Sequence, residues 1–112
     1  MTRYLISFPS DAMDHIPDED MPAVAKAAHA VVQEAVNAGV WVFSGGLEIQ
    51  RASVGATDGM VTDGPYPETK EVIGGFAVVD VPSREEALEW AARIAVACRC
   101  AQEVREFLPG PD

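Results

Sequence analysis

One stretch, residues 61–76, constrains the fold of this chain more than any other; it reads VTDGPYPETKEVIGGF. It brings an acidic turn, Asp63-Gly64-Pro65, and a double glycine together between two strand-like segments. Asp bonds nearby backbone amides, Gly accepts conformations that other residues avoid, and Pro blocks further strand pairing. The pattern therefore predicts that a hairpin ends at the turn and that a central strand begins within the double glycine, which admits a close backbone approach or a bulge there.

The composition indicates one domain over residues 1–108, followed by a flexible tail over 109–112. Eight basic and eighteen acidic residues give a net charge of −10, which repels phosphate backbones and anionic membranes. We therefore expect neither a nucleic-acid partner nor a membrane. The N-terminus enters a strand pattern directly, without signal-peptide architecture, so we expect a cytoplasmic location.

The hydrophobic periods predict the order β-α-β, hairpin, β-α-β. In chain order the predicted features are a strand at Tyr4–Phe8, a helix from its N-cap Asp20 to Gly39, a strand at Val40–Ser44 that Gly45-Gly46 breaks, a hairpin turn at Asp58-Gly59, a central strand at Gly75–Val81, a helix capped by Ser83 and Glu86, and a strand at Gln102–Phe107.

Two such helices can cover only one face of a four-stranded antiparallel sheet. The other face must be buried in some other way, and a second copy of the chain is the economical partner. The element order therefore predicts an α+β fold, a ferredoxin-like plait with an inserted β-hairpin. We expect the dimeric α/β-barrel type of this fold, and hence a homodimer.

Three segments, residues 63–76, 86–91 and 103–105, resemble the YCII-related family in its DGPF branch, with Tyr66 where that branch has phenylalanine. The resemblance extends over most of the chain and implies the same fold. It implies no particular reaction, because the family as a whole lacks a settled one. Domains of the DGPF branch also resemble accessory proteins found with extracytoplasmic-function sigma factors.

Asp63 has two interpretations. The first is a turn residue whose carboxylate bonds local amides. The second follows from its position, because a second acidic turn at the far end of the hairpin lies at the sheet margin, where a cleft would open. The family resemblance implies that this acid faces a pocket.

His29 lies on the flank of the apolar stripe of the first helix, about 140° round the helix from Val24 at roughly 100° per residue. A partly solvated histidine is the simpler interpretation. In YCII-related proteins a histidine at about this place is paired with an acid as a proposed catalytic dyad. The resemblance therefore implies His29 and Asp63 as an acid–base pair, since a carboxylate within hydrogen-bond reach fixes the imidazole tautomer.

The Glu68-Thr69-Lys70 run follows the turn, either as a solvated connector or as part of the site. In the second interpretation Lys70 binds an anionic small molecule at the pocket mouth and Thr69 donates a hydrogen bond to it. Gly64, Pro65, Thr69 and Lys70 are the candidate substrate-binding residues.

No metal and no cofactor are expected. His15 and His29 are far apart, which makes a poor metal motif, and neither glycine pair is followed by a helix with phosphate-loop spacing. Cys98 and Cys100 have a poor spacing for a local disulfide and are interpreted as two thiols near a helix end.

Two functions remain open from the sequence. One is a small-molecule enzyme that uses His29 and Asp63 in a cleft of a homodimer. The other is a non-catalytic regulatory module that binds a metabolite or a partner, with a link to sigma-factor signalling as one form of it. The absence of a recognisable nucleophile setting favours proton transfer over covalent catalysis in the first case.

Overall fold

The structure is a computed structural model that describes residues 1–48, 52–65 and 72–110. Its helices and strands, in chain order, are β1 Thr2–Pro9, α1 Met21–Asn37, β2 Trp41–Gly46, β3 Ser53–Gly55, β4 Val61–Asp63, β5 Ile73–Val81, α2 Arg84–Cys98 and β6 Glu103–Glu106. A turn of 3-10 helix, Asp18–Asp20, leads into α1. No helix in the described ranges is long and apolar enough to cross a bilayer.

Four strands form one antiparallel sheet in the order β2-β5-β1-β6. Each half of the chain contributes a β-α-β unit, which gives the β-α-β-β-α-β arrangement of the ferredoxin-like plait. The β3–β4 hairpin is inserted between β2 and β5. The predicted α+β fold, with its ferredoxin-like plait and inserted hairpin, is confirmed.

Strand alternation builds the core between the sheet and the helices. Tyr4 and Ile6 of β1 and Val79 of β5 are buried against Ala87 and Ala91 of α2. Each buried side chain of valine or isoleucine size stabilises the fold by about 1.5–3 kcal/mol relative to an exposed one. The two alanines let α2 lie close to the sheet at this end.

The ends of the helices follow the predicted caps with one exception. Gly39 has a φ of +76° after the end of α1, and the Ser83 hydroxyl accepts a hydrogen bond from the Glu86 amide at 3.3 Å. Asp20 holds the predicted N-cap position of α1, but its side chain makes no capping hydrogen bond. Its backbone is already helical because the 3-10 turn runs into α1, and its carboxylate accepts a hydrogen bond from the Arg99 guanidinium at 2.9 Å.

The predicted break of β2 at Gly45-Gly46 is also wrong. Both glycines belong to the strand and pair with Phe76 and Gly75 of β5. A glycine still provides a backbone amide and a carbonyl for strand pairing. The strand therefore continues through two residues that have no side chain. The pair removes side-chain volume from the sheet without ending it.

The β3–β4 hairpin turns at Asp58-Gly59 as predicted. Gly59 has a φ of +91°, and the Asp58 carboxylate accepts a hydrogen bond from the Met60 amide at 3.0 Å. Within the described residues, neither strand of the hairpin brings a Cα atom within 8 Å of another helix or strand. Because a lone two-stranded hairpin is marginally stable, we expect this one to gain support from outside the described part of its own subunit.

The face of the sheet opposite the helices is open. Phe43 and Phe76 pack edge to face on it, with ring centroids 5.4 Å apart, and Phe43 is 54% exposed. The smallest extent of the molecule is 19 Å, as expected for one helix layer on one sheet. A solvated aromatic pair on this face is consistent with the predicted need for a second covering layer.

Gly74 is required by close backbone contact. A Cβ atom added there would lie 2.6 Å from the Ser10 Cα atom and 3.0 Å from the Pro9 carbonyl oxygen, where β1 and β5 shift register. The predicted close approach at the double glycine is therefore confirmed.

We predict that Gly74→Ala lowers the free energy of unfolding by about 1–3 kcal/mol, because the backbone of β1 must move to make room. Gly45→Ala is the matched control, since a Cβ atom there meets nothing within 4 Å. Urea denaturation measures both variants. Equal stability of the two variants would contradict the packing described for Gly74.

Candidate functional site

A cavity of about 210 Å³ lies between the helices and the sheet. It occupies the end of the sheet at which β1 and β2 finish and β5 and β6 begin. Its walls come from both helices, from β1, β2 and β5, and from the segment before β6; the lining residues are Phe8, Ala28, Val31, Val32, Trp41, Ser44, Gly45, Gly46, Phe76, Ala77, Ile94, Cys98 and Gln102.

Small residues create this space. The helix-facing positions of β5 change from Val79 to Ala77, and Gly46 of β2 lies on the same face because it pairs with Gly75. A Cβ atom added at Gly46 would meet nothing within 4 Å. Ala28 leaves similar room on the α1 side, so the layers that touch near Val79 leave a gap at this end.

The lining is almost entirely apolar. None of the lining residues carries a formal charge, and the polar side chains among them are Ser44, Cys98 and Gln102. Gln102 is half-buried, and its Nε2 donates to the Cys100 carbonyl oxygen at 3.3 Å and contacts the Cys100 Sγ at 3.5 Å. A few polar groups in an apolar cavity are typical of sites that bind small molecules.

The two thiols are poor nucleophiles. Burial raises the pKa of the Cys98 thiol. Burial, followed by the nearby Cys98, also raises the pKa of Cys100. Since the thiolate is the reactive form, both thiols stay protonated near neutral pH, which agrees with the interpretation that they are unreactive. Both are free, without a disulfide.

His29 lies on the exposed surface of α1. It follows Ala28 in sequence and precedes Val32 by three positions, and both of these residues line the cavity. Neighbours three apart share a helix surface, so His29 borders the cavity wall without lining it.

Asp63 ends β4, and its side chain is exposed. Among the described residues no donor lies within hydrogen-bonding distance of its carboxylate, whereas the other acid of the hairpin, Asp58, serves the turn. The turn interpretation of Asp63 as an acid that bonds nearby amides therefore finds no support in the described residues.

Within one chain the structure does not bring His29 and Asp63 together. No nitrogen of His29 lies within 4.0 Å of an Asp63 oxygen, both residues being in the described ranges. No Cα atom of β4 lies within 8 Å of one in α1. The acid–base pair stays a prediction.

The other predicted site residues fall in or beside the turn. The Gly64 amide donates to the Ala52 carbonyl oxygen at 2.8 Å, and a Cβ atom there would lie 2.9 Å from the Val54 side chain. Hairpin packing thus gives Gly64 a structural role whatever it binds. Pro65 is exposed, and Thr69 and Lys70 lie outside the described residues.

The described residues contain no group of three or more histidine, cysteine or acidic side chains placed to hold a metal ion.

The insertion that carries the predicted turn leaves β2 after Gly46 and rejoins β5 at Ile73. Both points lie at the cavity end of the sheet, where the Leu47 amide donates to the Gly74 carbonyl oxygen at 2.9 Å.

Comparison with known families matches residues 8–109 of the chain to the YCII-related domain. The chain belongs to the YCII-related family. A search of the curated proteins finds no match. The matched range includes the whole cavity lining, the exposed His29 and the insertion with Asp63. Family membership supports the resemblance inferred from the sequence, while assignment to the DGPF branch stays a prediction.

Gln102 and Ala28 are site residues that the sequence did not indicate. A glutamine before a short strand and an alanine in an alanine-rich helix have no distinguishing pattern. The available signal was the two glycine pairs, Gly45-Gly46 and Gly74-Gly75. Because β2 and β5 are neighbours, these pairs predict that side-chain volume is missing at one place in the sheet.

Proposed function

We propose that this YCII-related protein binds a small molecule in the cavity between its helices and its sheet. The observation that supports this proposal is an uncharged, apolar cavity of about 210 Å³ with a half-buried glutamine in its wall. Proteins close-pack their interiors and leave few voids larger than a water molecule. A space of this size at the end of a sheet is therefore a candidate ligand site.

The proposed protein is a homodimer formed through the open face of the sheet. On this face Arg3 and Arg105 alternate with Asp80 and Glu103 in the strand registers, so its charges cancel although the chain carries −10. A second copy with the same net charge can approach such a face without strong repulsion. The exposed Phe43 supplies apolar area for the contact.

Acid–base catalysis by His29 and Asp63 is the second candidate function. It is favoured by the Asp63 carboxylate, which accepts no hydrogen bond from a described residue, and by the position of His29 at the cavity border. A homodimer offers a route for the pair, since the unsupported hairpin of one subunit can reach the other. If His29 and Asp63 do not form a pair, ligand binding without catalysis agrees with the regulatory module, the alternative that the sequence left open.

We predict that Ala28→Leu weakens the binding of cavity ligands at least tenfold, because the larger side chain fills the space. Thermal unfolding with a set of ring-shaped and short-chain compounds measures this, since a ligand at 100 times its Kd stabilises the fold by about 2.7 kcal/mol. Ala30→Leu is the matched control, because Ala30 is exposed on the same helix. Compounds that stabilise both variants equally would show that binding occurs elsewhere.

We predict that Phe43→Glu converts the dimer to a monomer, since the new charge would be buried against the partner. Light scattering after size-exclusion chromatography gives the molar mass. Val96→Glu is the control, because Val96 is 80% exposed on α2, on the helix side of the sheet. A monomeric native protein, or equal masses for the two variants, would contradict the proposed interface.

We predict that His29→Asn and Asp63→Asn are coupled in a double-mutant cycle of unfolding free energy by about 0.5–3 kcal/mol, as residues in contact are. His29→Asn with Asp58→Asn is the control cycle, since Asp58 serves the turn tip, and additivity within about 0.5 kcal/mol is expected there. If the substitutions are additive in both cycles, His29 and Asp63 do not interact, and the acid–base proposal is contradicted.

A further inference from the structure

The size of the cavity limits its ligand. An apolar cavity of about 150 Å³ is large enough to hold benzene. The space here is about 210 Å³, so it admits a six-membered ring with about one to three further atoms, on the scale that benzene sets. The space is partly open, since Ser44 and Gly46 in its wall are exposed, but it cannot enclose a sugar phosphate or a nucleotide.

The charge of the cavity limits the ligand further. No lining residue carries a formal charge, and an unpaired charge in an apolar interior is strongly unfavourable. The buried part of the ligand must therefore be neutral. The sequence predicted an anionic small molecule at Lys70, and an anionic group of that kind would have to remain outside the lining.

The shape of the walls favours a ring. Phe8 and Trp41 present helix-facing aromatic side chains, whereas the Phe76 ring packs on Phe43 at the opposite face. Aromatic side chains pair well with flat rings through edge-to-face or offset stacking. Between these rings, Gly46 and Ala77 leave the floor of the cavity flat.

Gln102 supplies the polar partner. Its Nε2 is directed to Cys100, with the carbonyl oxygen at 3.3 Å and the Sγ at 3.5 Å, which leaves Oε1 as an acceptor. No donor within residues 1–48, 52–65 and 72–110 contacts this oxygen, and those ranges contain no buried side-chain oxygen or nitrogen without a partner. An oxygen of a cavity-lining residue that has no described partner and is not buried keeps access to solvent, so the Gln102 Oε1 atom is available to a ligand.

We infer that the cavity takes an uncharged six-membered ring with one hydroxyl or N–H group that donates a hydrogen bond to Gln102 Oε1, an inference that rests on the proposed binding function. Gln102 is then the residue that selects among rings of equal size. A ring without a donor leaves the oxygen unpaired once water is displaced, and a ring with a carboxylate brings a charge that the lining cannot neutralise.

Phenol, toluene and benzoate are the probes, because they share one ring and differ in the group that Gln102 would meet. NMR titration follows the indole N–H signals. Trp41 lines the cavity, while Trp90 packs on the core under the Arg93 guanidinium, 4.6 Å from its ring centroid, and is the internal reference. The signals are assigned from the Trp41→Phe variant.

In the native protein phenol should shift the Trp41 signal and bind about three to ten times more tightly than toluene, the range of one net hydrogen bond. Benzoate should bind at least tenfold more weakly than phenol. In Gln102→Leu, phenol should lose its advantage while toluene binds as before, which also shows that the variant is folded. The comparison of the three probes in the native protein stands even if that variant does not fold.

Equal binding of phenol and toluene in the native protein would overturn the role of Gln102. Benzoate binding more tightly than phenol, and lost in Ala28→Leu, would overturn the ligand class and leave the binding function intact. If no probe shifts Trp41 in the native protein, and the broader compound set fails as well, the proposed binding function fails with the inference.

Discussion

The volume of the side chains that β5 directs toward the helices decides how the two layers meet. Val79 is fully buried against the small residues of α2, so the layers touch at that end. Ala77 and then Gly75 follow along the same face, opposite Gly46 of β2. Interiors close-pack wherever they can, and here the residues on this face are too small to fill the space under the helices. The cavity is thus a consequence of the order of residues in one central strand.

On its other face the same strand carries a large aromatic side chain in place of small residues. Phe76 is half-buried and meets Phe43 of β2 edge to face, and Phe43 is exposed in a single chain. The two faces of the sheet therefore differ. The helix-facing side leaves space that a small ligand could fill, whereas the open face leaves area that a second protein layer could cover. A homodimer formed through the open face would leave the cavity uncovered, since the sheet lies between the two. It would also offer support to the hairpin, which stands apart from the rest of its own subunit in the described residues.

Local chemistry explains why much of the fold could be predicted. The hairpin turn depends on Gly59 at positive φ and on the Asp58 carboxylate, which act within a few residues. The close approach at Gly74 was likewise marked by the double glycine itself. Asp20 occupies the predicted N-cap position without capping through its side chain, because the acidic run before α1 forms its own 3-10 turn and gives Asp20 a helical backbone.

The cavity could not be predicted residue by residue, because it depends on which distant segments the topology places together. Gln102 lies before β6, at the opposite edge of the sheet from β2, yet both line one space. The two glycine pairs carried a partial signal that neighbouring strands lose volume at the same end. His29 was correctly placed on the flank of its helix, but helical periodicity cannot say whether the acid on an inserted hairpin reaches it.

The most direct test of the cavity is a solution NMR experiment under xenon pressure, since xenon enters dry apolar cavities without needing a specific contact. If the space under the helices exists in solution, the signals of the Trp41 indole and the methyl groups of Ala28 and Ala77 should shift together as xenon is added. The Trp90 indole and the exposed Ala30 methyl should stay in place. Unchanged signals at all the lining residues, or equal shifts at Ala28 and Ala30, would mean that the helices close onto the sheet and that no such site is present.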